Sequence, residues 1–511
     1  MLRENGEKWE PIIGLEIHLE LDTKSKFFCS CLNQDSSEPN SNVCPICMGH
    51  PGVLPVLNKE AIKRAIILGL ALKGEIAEKC WFDRKNYFYP DLPKGYQISQ
   101  YSLPLIKGGC FEIEIGQGVK NILLERIHLE EDTAKLFHTL EGQGNCSLVD
   151  FNRAGIPLLE IVTKPIISSP EEAKIFLEEL QRVARYLEIS NADMEKGQMR
   201  CDANVSLRPS GDKKLYPKTE IKNLNSFKAV EHALHYELAR QLLLWEKGTP
   251  PQTQTTRGWD DKKGITVEQR SKEEVEDYRY FPEPDLPPLN FKNIQKVGIN
   301  LTQLKKDLPE LPRARKLRFM KMYGFDATEA KILTSSKNLA HFTEKVISEL
   351  RAWLVSLETV EGTEKHIWQK NKKTLVKLVA NWLINRILAL LKAQETEVIP
   401  ITPENFSEFI IYVYEKKVSS TIAQKILEKM FYEKKDLDRV VADSKLEQVD
   451  DENKLEEVIT QVIAENPEIV KSFQSGKYNV IQYLIGQAMK KTKGQAKPEL
   501  LKKLFEKRLK I

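Results

Sequence analysis

Four cysteines stand close together as Cys29, Cys31, Cys44 and Cys47, a C-x-C pair and a C-x2-C pair separated by twelve residues. Two tight pairs across a loop let four thiolates converge on one tetrahedral ion at a Zn–S distance of about 2.3 Å. Pro45 lies inside the second pair and favours the turn such a knuckle needs. Four unrelated thiols, or two redox pairs, are the competing readings; the spacing favours structural zinc. With sulfur in every position the site is closed, which suits a structural ion rather than a catalytic one. Cys80, Cys110, Cys146 and Cys201 are isolated and are expected to serve as small buried hydrophobes.

A second set of reactive types lies on alternating runs. Residues 12–21 read I-I-G-L-E-I-H-L-E-L, with Leu15, Ile17 and Leu19 on one strand face and Glu16, His18 and Glu20 on the other. A Glu and a His two apart can share a metal or substrate, although an amphipathic strand with a wet face explains the same pattern. In L-E-R-I-H-L-E-E-D, residues 124–132, Glu131 is in phase with Ile127 and Leu129, while Arg126, His128, Glu130 and Asp132 take the opposite face. If the strand runs that far, Glu131 is buried and requires a cation partner; if it ends at Leu129, Glu131 is released. Glu160 interrupts the apolar run I-P-L-L-E-I-V-T, where a lone charge calls for a metal or an ion pair. Asp202 lies on the polar side of M-R-C-D-A-N-V-S-L-R, with Arg200, Asn204 and Ser206. Two loops, 84–97 and 277–285, mix aromatics with Lys, Arg and Asn, types that stack on bases and hold phosphates; polar-rimmed packing is the alternative. No G-x-x-x-x-G-K-[ST] string and no G-x-S-x-G elbow occurs, so a P-loop is excluded and nothing suggests a covalent nucleophile.

The elements that must position these residues predict an α+β protein. The first part is β-rich and forms the cradle for the carboxylates, over residues 1–295 with the cysteine insert near 29–47. Pro282, Pro284, Pro287 and Pro288 end it, because proline removes a backbone donor and fixes φ. A helical domain is expected over 296–446, where Leu375, Leu378, Val379, Trp382, Leu383, Ile387 and Leu390 repeat with helical period. An acidic stretch, 446–457, separates it from a helical tail, 447–511, whose last 22 residues hold nine Lys or Arg against two Glu. The net charge of the 511-residue chain is only +4, so any nucleic-acid surface is local. The polar start and the polar interruptions of residues 375–391 by Lys377, Asn381, Asn385 and Arg386 predict no secretory segment and no membrane span. A cytoplasmic protein with reduced thiols is the expectation.

Seven collinear strings, G-L-E-I-H-L-E-L, F-D-R-K-N-Y-F-Y-P-D, Q-I-S-Q, L-V-D-F-N-R-A-G-I-P-L-L-E-I-V, R-C-D-A-N-V-S-L-R-P, E-I-K-N-L-N-S-F and D-Y-R-Y-F-P-E-P-D, together resemble one family, the B subunit of the glutamyl/aspartyl-tRNA amidotransferase. The resemblance runs from about residue 10 to the C-terminus, densest to about residue 290, and includes the end I-G-Q-A-M-K-K-T-K-G-Q-A-K-P. It implies ATP-dependent phosphorylation of the side-chain carboxylate of Glu or Asp on a misacylated tRNA, followed by attack of ammonia released from glutamine by an amidase subunit, with a further small subunit completing a heterotrimer. It further implies magnesium held by His18, Glu131 and Glu160, with Glu16 and Asp202 also catalytic, and a structural zinc where the cysteines are kept. Arg84, Lys85, Asn86, Tyr87, Asn152 and Lys222 are expected to contact substrate or ATP, and the lysine excess of the tail predicts that Lys490, Lys491, Lys493 and Lys497 contact tRNA phosphates. The rival function is a non-catalytic, zinc-stabilised scaffold that presents tRNA to a partner amidase.

Overall fold

The computed structural model describes residues 9–34, 38–116, 118–138, 146–271, 278–292, 298–356, 364–444, 452–475, 478–492, 496 and 498–509. It divides into two compact units, residues 1–311 and 312–511.

The first unit is built on a ten-stranded mixed sheet among the described residues. Its central strands are β1 (Trp9–Glu20), β2 (Gly118–Glu131), β3 (Pro157–Thr163), β4 (Met199–Pro209), β5 (Thr219–Leu224), β6 (Thr255–Asp260) and β7 (Ile265–Ser271). Their spatial order is β7-β6-β5-β4-β1-β3-β2, and all adjacent pairs are antiparallel except β5 with β6. Two short strands, Ile106–Lys107 and Glu75–Ile76, extend the sheet beyond β2, and Cys110–Ile115 also pairs with β2. The odd-numbered residues of the central strands make the core: Leu15, Ile17 and Leu19, Ile127 and Leu129, Leu159 and Ile161, Cys201, Ala203 and Val205 are all buried in one cluster. Burying each large aliphatic chain contributes about 1.5–3 kcal/mol, and the period of two then commits the even-numbered residues to the opposite face.

Three helices complete that core: α1 (Lys59–Ala71), α2 (Pro170–Tyr186) and α3 (Phe227–Glu246). A β-rich reading of residues 1–295 therefore understates the helix content. Asn58, Ser169 and Ser226 cap them, each side-chain oxygen accepting from a backbone N–H of the first turn. Phe176, Leu177 and Leu180 of α2 and Leu234 and Leu238 of α3 join the strand cluster.

The second unit is all-helical among its described residues and holds two apolar clusters, one spanning Phe319 to Val440 and one spanning Leu455 to Leu509. The stripe legible in the sequence is realised, with Leu375, Val379, Leu383 and Ile387 fully buried and Leu378, Trp382 and Leu390 packed beside them. Contrary to expectation, Trp368–Ala393 is long and apolar enough by length and composition to cross a membrane. Despite the interrupting polar residues its mean hydropathy stays at 1.5, and its buried stripe belongs to the core of this unit.

Candidate functional site

Strand pairing determines which polar groups meet. Across β4, β1, β3 and β2, Arg200 is opposite His18, His18 opposite Glu160, and Glu160 opposite His128. One row along, Asp202 is opposite Glu16, and on the other side of the central row Glu130 is opposite Leu158. Directly opposed residues share a face and lie about 5 Å apart at Cβ, so these even-numbered side chains form one polar patch on the face away from the core. Glu160 sits between two imidazoles, Oε2 lying 3.7 Å from His18 Nε2 and 3.2 Å from His128 Nε2, while its Oε1 is 3.5 Å from Arg126 Nη2. Glu130 Oε1 lies 3.4 Å from His18 Nε2, and Ser99 Oγ donates to Glu130 Oε2 at 3.2 Å.

Burial works against every charge here, and the partners decide the outcome. Glu160 is buried, yet the neighbouring His128 and His18 hold its carboxyl well below the usual range. Glu130 is likewise desolvated, but the hydrogen bond from His18 and the Lys85 ammonium lower it. His18 is desolvated too, and its two carboxylate partners raise it well above the usual imidazole range. Glu16 goes the other way: burial and the like charge of Glu160 raise it. Ligand atoms of Glu16, His18 and Glu160 converge within 4.8 Å, as do those of His128, Glu130 and Glu160. Carboxylate oxygens dominate both sets, a donor chemistry that fits a hard divalent cation such as magnesium better than a soft one. A pocket of about 920 Å³ opens at Glu16 and Arg126 and is lined by Asn204, Ser206, Lys214 and Tyr216; the buried Oδ1 of Asn204 makes no hydrogen bond there.

The cysteine set also converges, the four sulfurs lying within 4.8 Å of one another. Cys44 and Cys47 sulfurs are 3.9 Å apart, close to the edge of about 3.8 Å expected for a tetrahedron with Zn–S near 2.3 Å. Hydrogen bonding to Cys29 and to the Cys44 N–H draws the Cys47 thiol down to about 5 despite burial, while the Cys29 thiol is pushed up by its hydrogen bond to Cys47 and by burial. Gly155, at φ +85°, lies where an added Cβ would sit 3.6 Å from Cys47 Cβ and 3.9 Å from Glu131 Oε2.

Residues 11–295 match the family model described as the GatB/GatE catalytic domain, and residues 366–509 match the one described as the GatB domain. Relatives named as the B subunit of an aspartyl/glutamyl-tRNA(Asn/Gln) amidotransferase align over nearly the whole chain. That of Carboxydothermus hydrogenoformans is 46% identical over 98% of this chain and 99% of its own length; that of Caldanaerobacter subterraneus is 45% identical over the same shares. The one from Persephonella marina is 41% identical, covering 98% of this chain and all of its own length. The chain belongs to the amidotransferase B-subunit family.

Within this family member, the residues expected to act together separate into groups. Glu16, His18, Glu160 and Asp202 share the polar face, but Glu131 does not join them. β2 does run through Glu131, so alternation sends Glu130 to the polar face and Glu131 to the other. There the buried Glu131 carboxylate pairs with Lys94 and accepts from the Ile98 N–H at 2.9 Å. Glu130, His128 and Arg126, which the sequence placed on the wet face without nominating them, take the positions beside Glu160.

The aromatic loops meet as a small sheet of Asp83–Asn86 between Tyr96–Ser99 and Phe281–Pro282. Arg84 makes a two-point bond to the buried Glu283 carboxylate at 2.7 and 2.9 Å, and Asn86 donates to the Arg279 carbonyl at 2.8 Å. Tyr87 donates to Gln97 Oε1 at 3.2 Å. Arg84 and Asn86 are thus engaged in joining the two loops, and Tyr87 in closing the first on itself. Lys85 differs: its amine stands 5.0 Å from the Tyr278 ring. Although desolvation opposes its charge, Glu130, Tyr280 and Glu160 raise its pKa. Lys222 faces Asp202 and Glu220 at 3.3 and 3.4 Å. Asn152 is occupied by the cysteine loop, accepting from Asn42 N–H at 2.8 Å and donating to the Glu38 carbonyl at 2.7 Å. In the tail Lys490 is exposed and Lys491 pairs with Glu465 at 2.5 Å, whereas Lys493 and Lys497, like Asp277 of the second aromatic loop, lie outside the described residues.

Proposed function

We propose that this chain is the ATP-dependent half of a tRNA-linked amidation: it phosphorylates the side-chain carboxylate of Glu or Asp on a misacylated tRNA, and ammonia from a partner amidase displaces the phosphate. The observation that carries the reading is the row His18–Glu160–His128 with Glu130 and Glu16, next to a pocket large enough for a nucleotide. Glu16, Glu130 and Glu160, with His18, would hold magnesium, Glu130 taking the place first expected of Glu131. Bound there, the metal supplies charge neutralisation for two anionic reactants. Lys85 and Arg126 add fixed positive charge on the same face, so the γ-phosphoryl group and the substrate carboxylate can approach each other. Asn204, Ser206, Lys214 and Tyr216 offer polar contacts to the nucleotide. Desolvation of the patch favours an acyl phosphate that would hydrolyse quickly in open water.

Cys29, Cys31, Cys44 and Cys47 hold a structural zinc in this reading. Residues 1–295 form the catalytic cradle, 296–446 a helical domain and 447–511 a basic tail for tRNA. The working assembly is a cytoplasmic heterotrimer with the amidase and a further small subunit. The test is ATP turnover by the assembled enzyme given free ammonia. Turnover that requires Glu-tRNA(Gln) or Asp-tRNA(Asn) and yields the amidated product is expected. If tRNA binds and no charged tRNA stimulates ATP turnover, the chain is instead a scaffold that presents tRNA to the amidase.

A further inference from the structure

The side chain of Lys26 is fully buried, at 0% exposure. Lysine is almost never buried so completely without a partner for its charge. Its amine donates to the Asn42 carbonyl at 2.9 Å and the Phe151 carbonyl at 3.5 Å, and lies 3.9 Å from the Cys47 sulfur. No carboxylate among the described residues forms an ion pair with it. The carbonyls satisfy donors but carry no full charge. The remaining neighbour is the sulfur cluster.

We propose that Lys26 is the counter-charge of the cysteine-bound metal and fastens that centre to the turn leading into β3. The inference rests on the zinc reading given above. Four thiolates around one Zn²⁺ leave a doubly negative centre in a desolvated place, and an ammonium donating to one sulfur offsets part of that charge. The same amine reaches both sides of the junction. Asn42 belongs to the cysteine loop, while Phe151 begins the turn Phe151–Arg153 that precedes β3 and Glu160. Lys26 is a positioning residue, acting on the metal through Cys47.

Lys26→Met and Lys26→Gln separate charge from bridging, because Gln keeps a donor for a carbonyl and Met does not. Zinc affinity of the full chain is measured by competition with a chromogenic chelator, and thermal stability is followed with and without zinc. Both variants are expected to bind zinc at least about ten-fold more weakly, and to lose more stability when zinc-loaded than when stripped. Should Lys26→Met fail to fold, Lys26→Gln decides alone. Unchanged zinc affinity, with equal stability losses in the two states, would reduce Lys26 to a bridge between carbonyls and overturn the proposal. A wild-type chain that neither carries nor takes up zinc overturns the zinc reading itself, and this inference with it.

Discussion

Replacing Glu160 with Gln keeps its volume and removes the charge that holds His18 and His128 on either side. Tested in the assembled enzyme, Glu160→Gln and Glu130→Gln are each expected to lower charged-tRNA-dependent ATP turnover at least about 100-fold, roughly 2.7 kcal/mol of transition-state stabilisation. Glutamine hydrolysis by the partner should persist at its uncoupled rate. Full amidation by Glu160→Gln with free ammonia would make Glu160 a structural ion-pair member only. Glu131→Gln should behave differently, because it strands the mostly buried Lys94 ammonium. Breaking a buried pair costs about 3–5 kcal/mol, so denaturant unfolding of Glu131→Gln should report a stability loss of that size. His18 offers a pH test. Burial disfavours its charge, but Glu130 and Glu160 raise its folded pKa well above the ordinary 6.5. Its contribution is therefore complete below about pH 6.5 and is lost as pH rises through the folded value. The Tm gap between metal-free wild type and His18→Gln should be largest in acid and shrink with rising pH. A gap that widens with pH would contradict the assignment.

At the level of elements, β1, β2 and β4 were legible because they alternate apolar and polar residues over a buried core, whereas β3 is an almost wholly apolar run marked by Glu160 alone. The alternation also contained the information that Glu130 and Glu131 face opposite ways, yet not which of them meets Glu160. That depended on the β2–β3 register, which places His128 opposite Glu160 and Glu130 opposite Leu158. The helices α1, α2 and α3 escaped the β-rich reading although signals were present: Ser169-Pro170-Glu171-Glu172 places a cap, a proline in the first turn and acidic residues at a helix start. The cysteine knuckle is the element where local spacing sufficed to bring the sulfurs together. Changing Cys44 and Cys47 to serine should abolish metal uptake and lower Tm by about 2–8 °C, on the scale of a loss of 1–2 kcal/mol. Calorimetry with metal analysis checks both; full metal content in the double variant would exclude these ligands.

For the whole molecule, the two units have separate tasks in the proposed reaction. The tail has an apolar cluster of its own, Leu455 to Leu509, and exposed lysines such as Lys490 on the surface. Deleting residues 447–511 should leave the first unit folded and zinc-loaded while weakening tRNA binding. Its log–log salt slope should fall by about 2–3, equivalent to a few lost phosphate contacts. Binding measured across a salt series checks this, and an unchanged slope would leave the tail a solvated helix bundle.

By itself the sequence determined what depends on periodicity and close spacing. The α+β class, the wet and dry faces of β1 and β4, the convergence of four cysteines and the amphipathic stripe near Val379 all follow from local order. Collinear motifs carried the family. Only the tertiary structure decided which polar groups meet. Glu160 lies between His18 and His128 because strands distant in sequence pair in one register. The same sheet turns Glu131 away toward Lys94, and folding of the cysteine loop against Phe151 encloses Lys26 beside Cys47. These outcomes rest on contacts between segments tens to more than a hundred residues apart, where neither spacing nor periodicity carries information about the partner.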